Sequence, residues 1–323
     1  MGTSGPRDAI IGHTGFVGGN LVAQHAFSGQ FNSRNMDDSA GQRFGTVVCA
    51  AAPGSMFEAN RFPDRDAAQI DALCGALARI KAERFVLISS IAVLESFDGQ
   101  DVEGAERFQT DIAYGRNRRR LEEFCAETFA RCLILRLPAL FGEGLKKNFL
   151  FDLLNPMPTM LSADKMAVAL DNLTTDLKDH LRAIYALNEA NGMYVVDRAG
   201  LAAGGKRSEL EQGLAGLNLT AVQFTHPDSR FQYYRLDRLW ADVETAYEHD
   251  LDVLHLATEP LLAARIHEAV TGRTMPETAA RVHREDMHSR HAELWGRTGP
   301  YLESADQVLD RLAGFARAQR RAS

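Results

Sequence analysis

At 323 residues, with 45% hydrophobic and 24% charged residues, the chain is long enough to bury one large core or two unequal ones. Its net charge of −7 and pI near 5.8 exclude a nucleic-acid binder that works through overall positive charge, and the basic run Arg116, Arg118, Arg119 and Arg120 reads as the solvated face of one helix. No stretch reaches the roughly 18 consecutive apolar residues of a membrane span, and no basic-then-apolar secretion signal opens the chain. The four cysteines, Cys49, Cys74, Cys125 and Cys132, lack C-x-x-C spacing and fall in strand-like or helix-like segments, which reads as reduced core thiols in a cytoplasmic protein. Met1-Gly2 starts like an acylation signal, but Pro6 stands at the required Ser/Thr position.

In chain order, Ala9-Ile10-Ile11 predicts a strand that runs directly into Gly12-His-Thr-Gly15-Phe-Val-Gly18 and a helix from about Phe16 through Ala23. Closely spaced glycines between strand and helix let backbone N–H groups approach a pyrophosphate, with the positive end of the helix dipole behind them. The spacing G-x-x-G-x-x-G departs from the common G-x-G-x-x-G, and glycine also serves ordinary turns. A short second strand is expected at 31–35, a third from Gly45 to Cys49, a helix from Ala67 to Ala82 and a strand from Arg84 to Ser89. A helix beginning near Tyr114 and covering Glu122 to Phe129 leads to the strand Leu133 to Leu137 before Pro138. This alternation predicts a doubly wound parallel α/β sheet of the Rossmann type, whose ligands bind at the carboxyl ends of the strands.

Beyond about Gly142 the alternation loosens: Pro156 and Pro158 act as breakers, 176–189 reads as helical and Gly200 to Gly205 is glycine-rich. Phe231 to Tyr234, then a helix over 236–247, then Val253 to Leu256 look like elements returning to the main sheet. The expected division is a dinucleotide-binding domain over 1–145, completed by about 231–262, and a smaller C-terminal substrate domain from 146–230 and 263–323. The Arg/Ala-rich tail 316–323 is expected to fray. His283, His288 and His291 match no metal-ligand spacing and read as a solvated helix face, so no metal is expected. Trp240 and Trp295 read as packing residues.

The glycine loop, the strand-terminal Ser89-Ser90 and Tyr114-Gly-Arg-Asn-Arg118, whose tyrosine lies 24 residues beyond Ser90, together resemble the extended short-chain dehydrogenase/reductase family over about 9–145 and 231–247. The resemblance implies that Ser90 holds the reacting oxygen and that Tyr114 transfers the proton. Arg118, where the family has lysine, would lower the tyrosine pKa and orient the nicotinamide ribose. A free tyrosine near pKa 10 is poorly poised for proton transfer, and a cation at i+4 lies on the same helix face. Arginine keeps the charge but is larger, planar and delocalised. The candidate cofactor residues are Gly12, Thr14, Gly15, Phe16, Val17, Gly18, Arg34, Ala50, Ala51, Ala52, Ser89 and Pro138. No acidic residue ends the second strand, and Ser33 with Arg34 leans toward NADP, although Asp37 and Asp38 lie near enough to reverse this in favour of NAD.

The same resemblance implies a nucleotide sugar or comparable hydroxylated metabolite as substrate. Lys146, Lys147 and Asn148 follow the Gly142-Glu-Gly144 turn where the family often grips its substrate, and Arg235 and Arg238 are candidates for diphosphate contacts. Ile91-Ala92 stand where the family's dehydratases carry Asp-Glu, leaving simple oxidation/reduction or epimerisation, and Ala139 replaces a frequent asparagine. The expectation is an NAD(P)-dependent oxidoreductase or epimerase, a homodimer by resemblance, with no nucleic-acid or membrane partner. The alternative is a non-catalytic dinucleotide-binding sensor or scaffold.

Overall fold

Six short strands form one all-parallel sheet in the computed structural model of the protein, which describes residues 7–322. The strands are β1 (Ala9–Ile11), β2 (Gly29–Phe31), β3 (Arg43–Cys49), β4 (Lys81–Ser90), β5 (Cys132–Leu137) and, returning from far along the chain, Val253–His255. Their spatial order is Val253–His255, β5, β4, β3, β1, β2. Winding reverses at β1, which pairs with both β2 and β3, so a crevice opens at the carboxyl ends of these three strands.

The two faces follow from the period of two along each strand. Ala9, Ile11, Val47, Cys49, Phe85, Leu87 and Ile134 pack with Ile70 and Leu77 of α3 (Pro63–Leu77) and with Leu121 and Cys125 of α4 (Ala113–Thr128). Their neighbours Ile10, Val48, Val86, Leu133, Leu135 and Leu254 face the other way, onto Leu21 of α1 (Phe16–Val22) and Leu239, Trp240 and Val243 of the helix Leu239–Glu248. Trp240 is a core residue, as its apolar neighbourhood predicts, and stacks on the His25 ring with centroids 3.8 Å apart. The doubly wound sheet predicted from the alternation is therefore present.

The chain forms two compact units. One runs to Leu145 and takes in Phe231–Leu261 and Arg284–Arg311; the other comprises Lys146–Arg230, Leu262–His283 and the chain from Leu312. Arg284–Arg311 thus falls with the sheet, not with the second region to which the sequence reading gave it. The second unit has its own core, with Leu161, Met166, Leu181, Ile184 and Leu210 buried beneath an antiparallel sheet of Met160–Leu161, Met193–Val196 and Tyr185–Asn188.

Several boundaries differ from the sequence expectation for identifiable reasons. The second strand ends at Phe31 because Asn35 Oδ1 accepts the Asn32 N–H (2.8 Å) and Asn32 Oδ1 accepts that of Arg34 (2.9 Å), an Asx-type turn that takes over the backbone. α3 starts earlier than Ala67, at Pro63, whose ring suits the first helical turn, and ends at Leu77 so that β4 can begin at Lys81. The segment 176–189 is a helix only to Ile184 and a strand from Tyr185. Instead of the frayed tail expected, the chain is helical over Ala305–Ala322, and Arg320 Nη1 donates to Val270 O at 2.8 Å.

His288 and His291 lie on an irregular strap, not a helix face. Gln232 clamps the strap by accepting the Met287 N–H (2.7 Å) and donating to Met287 O (2.8 Å). Among the described residues no group of three or more His, Cys, Asp or Glu side chains is arranged to hold a metal ion, and no helix is long and apolar enough to cross a membrane. Met1, Gly2 and Pro6 lie outside the described residues.

Candidate active site

The glycine triplet is dictated by backbone proximity. Gly12 has φ +90, and a Cβ there would sit 2.5 Å from Ala50 O; a Cβ on Gly18 would sit 2.1 Å from Gly12 O. Both obstacles are main chain and cannot swing aside, so Gly12 lets β1 turn beside β3, and Gly18 lets α1 pack on the loop. Gly15 N-caps α1. α1 is stitched in place by Gln24, whose Nε2 donates to Asn20 O and Leu236 O, both at 2.7 Å.

Above this loop lies a cavity of about 540 Å³, within the range of small-molecule sites. Gly12, Thr14, Gly15, Ala50, Ala51 and Ala52 line it, as the sequence reading anticipates. Asn32, Ser33, Asp37 and Arg79 line its far end, with Ala72, Leu73 and Ala76 of α3 on one wall. Phe16, Val17, Gly18, Arg34, Ser89 and Pro138 are not lining residues. Phe16 and Val17 pack against the core under α1, Arg34 is exposed, and Pro138 is buried at the end of β5. Arg79, just past α3, carries a cation that the sequence reading missed, held by Asp37 at 2.7 Å.

Ser90 ends β4, and its hydroxyl accepts the Ala92 N–H at 3.2 Å. Tyr114 is set at the start of α4 by Asn60, whose Oδ1 accepts the Tyr114 N–H at 2.9 Å, and by Gln109, whose Oε1 accepts the Asp111 and Ile112 N–H groups. Gly115 lets α4 press on the turn after β4, since a Cβ there would lie 1.9 Å from Ala92 O. The result brings the Ser90 hydroxyl close enough to the Tyr114 phenol to influence its acidity. Two residues 24 positions apart in sequence are thus brought together.

Arg118 sits over the Tyr114 ring, 4.0 Å from its centroid, with its Nη groups engaged by Asp66, Pro53 and the Tyr114 carbonyl and its Nε buried without a partner. Nη1 meets Asp66 Oδ2 at 2.5 Å, Nη2 donates to Pro53 O, and Asp66 also accepts from Asn117 Nδ2 at 2.8 Å. Burial pushes the Tyr114 phenol above its ordinary value; Arg118 and the nearby Ser90 hydroxyl pull it down, and Asp66 adds to the rise. The net direction is opposite to that expected from Arg118 alone because burial outweighs the cation, and Asp66 offsets part of the cation's pull.

Ser89, predicted beside the cofactor, instead donates to Glu122 Oε1 at 2.6 Å. Glu122 is fully buried and receives Arg136 through two bonds (3.0 and 2.7 Å), and Arg136 Nη1 donates to His255 Nε2 at 3.1 Å. His255 Nδ1 donates to His288 O, and burial pushes its pKa down to about 4, so it is the neutral ring that the hydrogen bonds require. Glu122→Gln would strand Arg136, only 2% exposed, with an uncompensated charge. We expect a loss of about 3–5 kcal/mol in urea unfolding; a change under about 1 kcal/mol would mean that the pair is dispensable.

Of the proposed substrate residues, Arg238 is structural: it donates to both Asp242 oxygens (3.0 Å each) and to Glu303 (2.7 Å). Arg235 is partly exposed and paired with Asp237 at 2.7 Å. Lys147 and Asn148 belong to the second unit, where Lys147 is exposed. Asn148 N-caps a helix by accepting the Phe151 N–H at 3.1 Å, with φ at +117, a strained value for a residue with a side chain.

No protein-family model and no curated protein sequence matches the chain. Solved structures do. A dTDP-4-dehydrorhamnose reductase from Bacillus anthracis, in complex with NADP, is 12% identical with a TM-score of 0.60, over 97% of this chain and 99% of that one. MoeE5, in complex with UDP-glucuronic acid and NAD, is 16% identical with a TM-score of 0.61, over 98% and 100%. A UDP-N-acetylglucosamine 4-epimerase from Methanobrevibacter ruminantium, in complex with UDP-N-acetylmuramic acid, is 11% identical with a TM-score of 0.60, over 98% and 99%. The chain has the fold of the extended short-chain dehydrogenase/reductase enzymes along nearly its whole length.

Proposed function

We propose that the protein is an NAD(P)-dependent oxidoreductase or epimerase acting on a nucleotide sugar or similar hydroxylated metabolite. The observation that carries this reading is the Ser90–Tyr114 hydroxyl pair, built onto the same fold and sheet as a glycine-lined cavity at the β1/β3 switch point. The solved structures of like fold, with NADP, NAD and nucleotide sugars as their ligands, support the choice of cofactor and substrate class. Small residues at Gly12, Gly15 and Ala50 to Ala52 fit close approach of a dinucleotide backbone, with Asn32, Ser33, Asp37 and Arg79 toward the adenosine end. A bound nicotinamide ring supplies or accepts hydride at the substrate carbon. Ser90 orients the reacting oxygen, Tyr114 moves the proton at that oxygen, and Arg118 holds Tyr114 through its ring face. The second unit is assigned the substrate-binding role, with Lys147 and Asn148 as its candidates, and a homodimer belongs to the same reading.

The cation for a 2′-phosphate is Arg79 in place of Arg34, because Arg79 lines the cavity. Arg79→Ala should weaken NADPH binding about tenfold and NADH binding little, in keeping with a charge-assisted contact of about 1.5–3 kcal/mol. Fluorescence titration with both reduced dinucleotides checks this; equal weakening of the two would reject the assignment. The second reading, a dinucleotide-binding sensor without turnover, draws on the engagement of Arg118 by Asp66, and hydride-transfer assays on a panel of nucleotide sugars decide between the two.

A further inference from the structure

We propose that Asp66 tunes this site: by closing a buried ion pair on Arg118 it offsets part of that cation's pull on Tyr114, keeping the tyrosine a proton donor, as carbonyl reduction requires, to higher pH. The proposal rests on the role given to Tyr114 above and adds the residue that tunes it. A basic residue four positions along a helix from a tyrosine ordinarily directs a lone positive charge at the phenol. Here both members of the pair are only 3% exposed at the side chain and 2.5 Å apart, and Asp66 is fixed further by Asn117. Arg118 is fixed further by Pro53 O. Two opposite charges in contact act on the phenol as a dipole, whose field falls off faster with distance than that of a single cation. The groups that face Tyr114 are Arg118 on its own helix, Asp66 on α3 and Ser90 on β4. None of them supplies an uncompensated positive charge.

In reduction the substrate C=O π bond opens toward oxygen as its carbon gains hydride from a reduced nicotinamide dinucleotide, which is thereby oxidised. The contribution of the chain is the Tyr114 O–H bond: it breaks, the proton goes to that oxygen, and water reprotonates the phenolate. Oxidation requires the phenolate at rest, the state that burial disfavours and that Asp66, by offsetting part of Arg118, disfavours further. Asp66 touches neither substrate nor reacting atoms in this scheme and is a positioning residue.

The test is ultraviolet titration of tyrosinate, with the Tyr114→Phe spectrum subtracted, in protein free of substrate and dinucleotide. Wild-type Tyr114 should contribute no tyrosinate below about pH 9, and Asp66→Asn should give about tenfold more Tyr114 tyrosinate at a given pH, the equivalent of one pKa unit. Asp66→Glu, which keeps the charge, should restore the wild-type curve. Should Asp66→Asn fail to fold with Arg118 unpaired, the neutral pair Asp66→Asn/Arg118→Met should show no tyrosinate gain. Tyr114 ionising near pH 7 in the wild type, an Asp66→Asn curve superimposed on the wild type, or a gain in the neutral pair would each overturn the proposal. Failure of all dinucleotides to bind would remove the functional reading without touching this titration, whereas binding with an unmoved titration would remove the Asp66 assignment alone.

Discussion

Tyr114→Phe is expected to lower turnover by about 10²–10⁴-fold while leaving dinucleotide affinity unchanged. The substitution deletes one oxygen, the one beside the Ser90 hydroxyl, and keeps the ring on which Arg118 sits. Asp66, itself fixed by Asn117, and Pro53 hold Arg118 independently of the phenol, so the fold around the site should persist. The cavity lined by Gly12, Gly15 and Ala50 to Ala52 has no contribution from Tyr114, which is why binding and turnover should separate. Steady-state kinetics beside a dinucleotide titration reads both. Turnover that survives the change would move the proton-transfer role off Tyr114.

Gly115→Ala should be nearly as damaging to turnover, for a packing reason. The added Cβ would lie 1.9 Å from Ala92 O and 2.8 Å from Gln109 Cγ. Gln109 could shift its side chain; the Ala92 carbonyl belongs to the turn Ile91–Val93 directly after Ser90 and cannot move without carrying Ser90 along. Relief therefore separates α4 from β4 and moves Tyr114 away from Ser90. Overpacking of this kind costs about 1–3 kcal/mol in stability, and misplacing a catalytic group by about 1 Å can cost about 10²-fold in rate. Thermal unfolding and turnover measured on the same preparation check the coupling. A variant with wild-type rate would show that the helix has slack at this contact.

The doubly wound parallel sheet was legible because apolar runs alternate with helical segments, and each strand feeds two cores by simple alternation, as Val47 and Val48 do. Ser90 and Tyr114 were singled out because, with the glycine loop, their residue types and spacing resemble a family pattern; their roles belong to the proposal. Asp66, Asn60 and Arg79 were not: each is an ordinary helix or turn residue whose importance comes from a partner 42 to 54 positions away. The same remoteness explains the misassigned residues. Ser89 looked like a site hydroxyl beside Ser90, yet alternation points it to the opposite face, toward Glu122. Arg238 looked available until Glu303, 65 residues later, came to meet it. The position of Arg118 was read correctly, but the effect of its charge depended on a buried aspartate that nothing near it in sequence announces.

The central claim is that this chain binds a nicotinamide dinucleotide in the cavity above Gly12 and Gly15. The most direct measurement is to denature the purified protein, identify any released dinucleotide by mass spectrometry, and titrate the emptied and refolded protein with NAD, NADH, NADP and NADPH. The account predicts saturable binding of at least one of the four, abolished by Gly12→Val, whose side chain would have to pass through Ala50 O. Binding of none of the four by folded protein would contradict the account, and the roles given to Tyr114 and Ser90 with it.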